Sequence, residues 1–201
     1  FQTISAYGSE VSKLAPTPNI DRLANEGARF DDAFVENSLS TPARACLLTG
    51  LYSHQNGQRT LGKGIDSTKT FVSELLQDAG YQTGVVGKWH MQCRPKGFDF
   101  FRIFEGQGDY YNPLVLSHDS NGKYEREQGY ATDIVTEHAV EFLNQRDEQK
   151  PFFLLVEHKA PHRTWMPNLK YLGLYDKVEF PLPTTFWDDY ATRGTCASQQ
   201  E

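Results

Sequence analysis

Two apolar segments, each running into a lysine and a histidine, set the strongest constraint on what this chain can fold into. Phe152 to Val156 is a continuous apolar run, the pattern of a strand buried on both faces, and it leads into Glu157-His158-Lys159-Ala160-Pro161-His162-Arg163. Tyr81 to Val86 reads as a second strand and leads into Gly87-Lys88-Trp89-His90. Helical patterns alternate with these strands, which predicts an α/β layer fold. In open α/β sheets, ligands bind beyond the carboxyl ends of the strands. Two such ends carrying Lys and His suggest one cationic cleft built for an anion, although each alone also reads as an exposed strand end with ordinary polar residues.

The other elements follow from local signals. Thr17-Pro18 opens a helix with a capping hydroxyl and a proline where no amide is needed; Ile20, Leu23 and Ala24 form its apolar face and Gly27 closes it. Pro42 to Leu48 predicts a short helix ending at Gly50. Thr70 to Ala79 predicts another, with Phe71, Val72, Leu75 and Leu76 inward. Residues 130–146 form the longest helix, with Ile134, Val135, His138, Phe142 and Leu143 on one side. Ala28 to Val35 reads as a further strand. Residues 97–129, rich in Gly, Asn, Asp and Tyr, read as a long functional loop or insertion.

Composition excludes some functions. The formal net charge of −6 argues against a general binder of nucleic acid or of anionic membrane, which needs a basic face. A local cluster of cations can still hold an anionic substrate. No apolar run approaches the ~20 residues of a membrane span. The three cysteines, Cys46, Cys93 and Cys196, match no zinc spacing, and an odd number cannot all pair internally.

A third segment adds chemistry. In Ser40-Thr41-Pro42-Ala43-Arg44, followed by Leu47-Leu48-Thr49-Gly50, a hydroxyl stands at a helix start with an arginine one turn in. Free amides and the positive dipole end suit an anion there, and Arg44 adds a fixed charge. From these residues alone a plain N-cap followed by a surface arginine is the commoner reading, since such caps are frequent. The His158-x-x-x-His162 spacing would suit a helical zinc pair, but Pro161 makes a helix there unfavourable.

Taken together these segments resemble the sulfatase family. Ser40-Thr41-Pro42-Ala43-Arg44 with its Leu-Thr-Gly resembles the family signature of Cys or Ser, any residue, Pro, any residue, Arg. Thr17-Pro18-Asn19-Ile20-Asp21-Arg22-Leu23-Ala24 resembles the segment that precedes it, Gly87-Lys88-Trp89-His90 the Gly-Lys-Trp-His block, and Pro161-His162 the later Pro-His block. The resemblance implies an alkaline-phosphatase-like sulfatase fold, a mixed, mostly parallel sheet sandwiched by helices. It also implies that residues 1–201 are an incomplete N-terminal catalytic domain lacking both ends.

It implies roles as well. Ser40 would be the nucleophile position, matured by a formylglycine-generating enzyme to 3-oxoalanine (formylglycine), and would be a metal ligand. A geminal diol there attacks sulfur with one oxygen and expels sulfate by re-forming the aldehyde, an exit that plain serine lacks. Arg44 would hold the diol, Lys88 a sulfate oxygen, His90 would take the proton as the diol breaks down, and His162 would assist the leaving group. His158 and Lys159 would at most contact substrate, while His54, His118 and His138 read as structural or solvated. The implied metal is Ca2+, whose demand for six to eight oxygens Ser40 alone cannot meet. Its other ligands are expected before and after this chain. Asp31-Asp32 is no substitute, because neighbours on a strand point to opposite faces.

Phe180-Pro181 through Phe186-Trp187-Asp188-Asp189-Tyr190 resembles a stretch of sulfatases acting on glucosamine 6-sulfate. The implied substrate is a 6-O-sulfated N-acetylglucosamine of glycosaminoglycan or mucin glycans, and the implied location is periplasmic or secreted. Two alternatives remain open on sequence: a phosphonate monoester or phosphodiester hydrolase of the same superfamily, and a catalytically retired binder of sulfated glycans.

Overall fold

The computed structural model describes residues 2–62, 64–66 and 68–199. The chain divides into two compact units, one made of the stretch up to Ala33 with that from Leu169 onward, the other Phe34–Asn168.

In the first unit, α1 (Glu10–Leu14) is capped by Ser9, whose side chain accepts from the Ser12 amide. α2 (Pro18–Glu26) begins at its proline and closes at Gly27 as expected, with the Gly27 amide donating to the Leu23 carbonyl. Thr17 does not cap α2; its hydroxyl accepts from the Ser5 amide at 3.0 Å and donates to Asp21 Oδ1 at 3.0 Å. The strand expected over Ala28–Val35 does not form. The segment is irregular, it pairs with no strand among the described residues, and Phe30 and Phe34 are largely exposed. β-propensity alone makes no strand where no neighbouring backbone takes up its hydrogen bonds; here the Phe30 carbonyl accepts from the Tyr7 hydroxyl at 3.1 Å instead. Asp31 therefore sits on no pleat, and it pairs with Arg29 at 2.9 Å.

The second unit carries the site. α3 (Ser40–Thr49), α4 (Ser53–Asn56) and α5 (Val72–Asp78) precede a five-stranded sheet. Its strands are β1 (Gln82–Gly87), β2 (Phe100–Phe104), β3 (Leu114–Ser117), β4 (Tyr124–Arg126) and, after α6 (Ala131–Gln145), β5 (Phe152–Glu157). The spatial order is β4-β3-β2-β1-β5. β1 pairs in parallel with β2 and β5, while β3 is antiparallel to both β2 and β4. The sheet is thus mixed, and its parallel half is the half that holds the Lys/His ends.

The segment 97–129, expected as a loop, instead contains three whole strands, β2, β3 and β4, joined by turns. These strands are short, and the Gly, Asn and Asp residues that suggested a loop gather in the turns between them, as at Gly106, Gly108 and Gly122. Three to five residues give too few positions for a period of two to show.

Alternation along the strands builds a core on each face. Val85, Phe101 and Ile103 pack with Ala45 and Leu48 of α3, Phe71 and Trp89; Val86, Phe100, Phe104 and Val115 pack with Ala131, Val135, Ala139 and Phe142 of α6. Helices therefore lie on both faces, as an α/β sandwich requires. Two expectations shift. Leu75 of α5 points outward, because Phe71, the residue before the helix, takes the buried place. β5 is an edge strand among the described residues, so Phe152 and Val156 stay partly exposed although the run reads as fully buried.

His138 has a structural role. Its Nε2 lies 2.7 Å from Glu127 Oε2 and its Nδ1 3.3 Å from Glu141 Oε2. Glu141 in turn pairs with Arg102 of β2 at 3.2 Å. Burial opposes the His138 charge, but the hydrogen bond and charge of Glu127 prevail and raise its pKa. A histidine pKa raised by folding contributes stability that is complete below its unfolded value of about 6.5 and is lost as pH rises through the folded value. Unfolding of wild type and His138→Gln from pH 5.5 to 8.5 should show a deficit of about 1 kcal/mol at the acid end that shrinks toward the alkaline end. A deficit independent of pH would contradict this role.

Candidate active site

Ser40 is the first residue of α3, after Leu39 at the cap position. Its side chain does not cap the helix. Its Oγ lies 3.3 Å from His90 Nδ1 and 3.4 Å from Arg44 Nε. One helical turn separates Ser40 and Arg44, so both face the same side. The neighbouring Thr41 is fully buried and donates to the His90 carbonyl at 3.0 Å, which ties the start of α3 to the segment after β1.

Backbone geometry at the ends of β1 and β5 makes this meeting possible. Gly87 has φ +93°, and a Cβ there would lie 2.1 Å from the Glu157 carbonyl oxygen. Only glycine lets the two strand ends close, with the Lys88 amide donating to that carbonyl at 2.8 Å. His90 then turns into the left-handed region at φ +52°. A non-glycine residue there is uncommon, and such strain tends to collect at functional sites. Here it aims an imidazole at a serine hydroxyl.

The electrostatics are cationic. Lys88 is only 5% exposed. Burial, then the charges of Arg44 and Lys159, push its pKa down from 10.5 to about 8, against a partial restoring effect from Glu157. Burial also lowers the pKa of His90, helped by Lys88, Arg44 and His162. A neutral imidazole able to accept a proton is thereby favoured at neutral pH.

A cleft of about 890 Å³ opens over Ser40, lined also by Arg44, Gln107, Glu157, His162 and Arg163. Lys159 sits 5.0 Å from the centre of the Tyr110 ring and donates to the Gln107 carbonyl at 3.4 Å, while the Tyr110 hydroxyl donates to the His162 carbonyl. The turn after β2 thus braces the Pro161-His162 segment. The structure brings Ser40, Arg44, Lys88 and His90 together and sets His162 on the same cleft. His158 does not line it; burial lowers its pKa. His54 stacks on Tyr52, and His118 lines a separate hollow by Tyr81 and Gln82, at the opposite end of β1.

Sequence reasoning missed Glu157, Thr41 and Tyr110. Glu157 stands beside the singled-out His158-Lys159 pair, so its strand-end position was the available signal. Nothing local marks Tyr110 or Thr41.

The described residues do not by themselves fit a calcium ion. Among them no three His, Cys, Asp or Glu side chains gather as a metal could require, and the partners of the Ser40 hydroxyl are Arg44 and His90.

A hydroxyl at a helix start, flanked by a guanidinium and an imidazole beside a buried lysine, is equipped to hold a tetrahedral anion and to stabilise charge developing on it. A family model for sulfatases matches residues 1–198, and the chain belongs to the sulfatase family. It is 46% identical to an N-acetylglucosamine-6-O-sulfatase of Bacteroides thetaiotaomicron, over 100% of this chain and 35% of that protein. A solved protein in complex with its substrate, D-glucosamine-2-N,6-O-disulfate, superposes with a TM-score of 0.92 at 46% identity, over 98% of this chain and 40% of the other. The phosphonate monoester hydrolase of Agrobacterium radiobacter shares the fold, with a TM-score of 0.51 at 18% identity over 73% of this chain and 36% of its own. The chain spans about a third of the length of the curated relatives it matches.

Proposed function

We propose that the protein containing this chain is a carbohydrate sulfatase that removes the 6-O-sulfate of N-acetylglucosamine units in glycosaminoglycan or mucin glycans. The observation that carries this reading is Ser40 Oγ set between His90 and Arg44, with buried Lys88 close behind. The sugar is supported by the 46% identity to an N-acetylglucosamine-6-O-sulfatase and by the 6-O-sulfated glucosamine bound to the solved relative.

In this reading Arg44 and Lys88 neutralise the sulfate oxygens. His90 takes a proton from the group at position 40, and His162 hydrogen-bonds the bridging oxygen so that the sugar hydroxyl leaves. Ser40 is matured to formylglycine by a partner enzyme, which supplies a nucleophile that can release sulfate without a second displacement at sulfur. In this reading export to the periplasm or beyond brings the enzyme to its glycan.

The test pairs a mass with a rate. In full-length protein from its native host, the peptide containing Ser40 should lack two hydrogen atoms and react with a carbonyl probe. The same preparation should hydrolyse N-acetylglucosamine 6-sulfate at least about 10²-fold faster than the 6-phosphate. Unmodified Ser40 with faster phosphate hydrolysis would favour the phosphoesterase alternative. Tight binding without turnover would favour the retired binder.

A further inference from the structure

Glu157 is out of place by charge. Arg44, Arg163 and His162 line the cleft and the charges of Lys88 and Lys159 stand close to Arg44, yet two carboxylates, Glu36 and Glu157 at the end of β5, line it with Ser40. A negative charge there repels an incoming sulfate, so its presence calls for another use. Arg44 supplies one. A single guanidinium nitrogen, Nη1, donates both to the Lys88 carbonyl at 2.8 Å and to Glu157 Oε2 at 3.0 Å. The guanidinium is a rigid planar fork, so anchoring Nη1 at two points sets the direction of the whole group. Nε then faces Ser40 at 3.4 Å. Both anchors sit on the locked strand ends, through the Lys88 amide bonded to the Glu157 carbonyl. Without the carboxylate, the repulsion that Lys88 feels from Arg44 and Lys159 loses its counterweight, and Arg44 loses one of its two Nη1 anchors.

We infer that Glu157 is a positioning residue for the sulfatase reaction: it aims the Arg44 guanidinium at the group on Ser40, and it does so at the expense of sulfate affinity. This rests on the reading of the cleft as a sulfate-ester site and goes beyond it by adding a residue that weakens binding while supporting turnover.

The experiment compares full-length wild type, Glu157→Gln and Glu157→Ala. Gln keeps an acceptor for Arg44 and loses the charge; Ala loses both. With N-acetylglucosamine 6-sulfate, Glu157→Ala should lose up to about 10²-fold in kcat without a matching rise in KM, because the reacting groups are misaligned. Glu157→Gln should recover most of that kcat and lower KM about threefold to tenfold, since a repelling charge is gone. Inorganic sulfate, measured by calorimetry, should bind Glu157→Gln more tightly than wild type by a similar factor. Unchanged kcat in Glu157→Ala, or sulfate binding no tighter in Glu157→Gln, overturns the inference. If Glu157→Ala does not fold, the Glu157→Gln sulfate affinity decides alone. If wild type turns over no sulfate ester, the functional reading fails separately, and sulfate binding still tests the charge of Glu157.

Discussion

Ser40→Ala should reduce hydrolysis of N-acetylglucosamine 6-sulfate by at least about 10³-fold while leaving the fold intact. The hydroxyl lies 3.3 Å from His90 Nδ1 and 3.4 Å from Arg44 Nε, and alanine offers no atom to attack, to donate a proton or to mature into an aldehyde. Its structural contribution is small. The Ser40 side chain does not cap α3, and alanine is favourable at a helical position, so stability should change by no more than about 0.5 kcal/mol. Steady-state rates and thermal unfolding on the same full-length preparations check both halves. Residual turnover within about tenfold of wild type would remove Ser40 from the centre of the mechanism.

Lys88→Met should move activity and stability in opposite directions. A lysine at 5% exposure whose pKa falls from 10.5 to about 8 carries its charge below pH 8 at a cost of about 3 kcal/mol by linkage, an upper figure because the surroundings relax. Methionine has nearly the same length and no charge, so the variant should be more stable by about 1–3 kcal/mol at pH 7. The sign follows from the depressed pKa. The folded state sheds the proton near pH 8 and the unfolded state near 10.5, so wild-type stability gains through that window and the advantage of methionine narrows there. Turnover should fall by about 10²–10³-fold, because a charge aimed at the sulfate oxygens is lost. Denaturant unfolding at pH 7 and pH 9.5, set beside kcat, reads all three effects. A variant both less stable and fully active would mean that Lys88 serves packing alone.

The part of this fold that was legible in the sequence has a common physical basis. The helices α2, α3, α5 and α6 were marked by proline near the start, glycine at the close or a 3.6-residue apolar period, and each formed within a few residues of its expected bounds. β1 and β5 were marked by apolar runs that end in charge. The failures share a cause too. Ala28–Val35 has strand composition, but a strand exists only where another backbone accepts its hydrogen bonds, and no local signal records a missing partner. β2, β3 and β4 are too short to show their period and are separated by turn residues, so they read as a loop, although pairing with β1 and with each other makes them strands.

The site divides in the same way. The sequence by itself determined the candidate groups: a serine and an arginine one turn apart at a helix start, Lys88 and His90 after one strand, His162 after another. These are properties of residue type and spacing, and the helical period alone brings Ser40 and Arg44 to one face. Only the tertiary structure decided how that chemistry is aimed. Parallel pairing of β1 with β5 sets Gly87 against Glu157, and only that register brings Glu157 within 3.0 Å of an arginine 113 residues earlier. The same pairing buries Lys88 deeply enough to lower its pKa, and the turn after β2 brings Tyr110 to the His162 carbonyl. Local sequence specifies which groups a segment carries, whereas burial and long-range contact depend on which segments become neighbours, and that is a property of the packed chain.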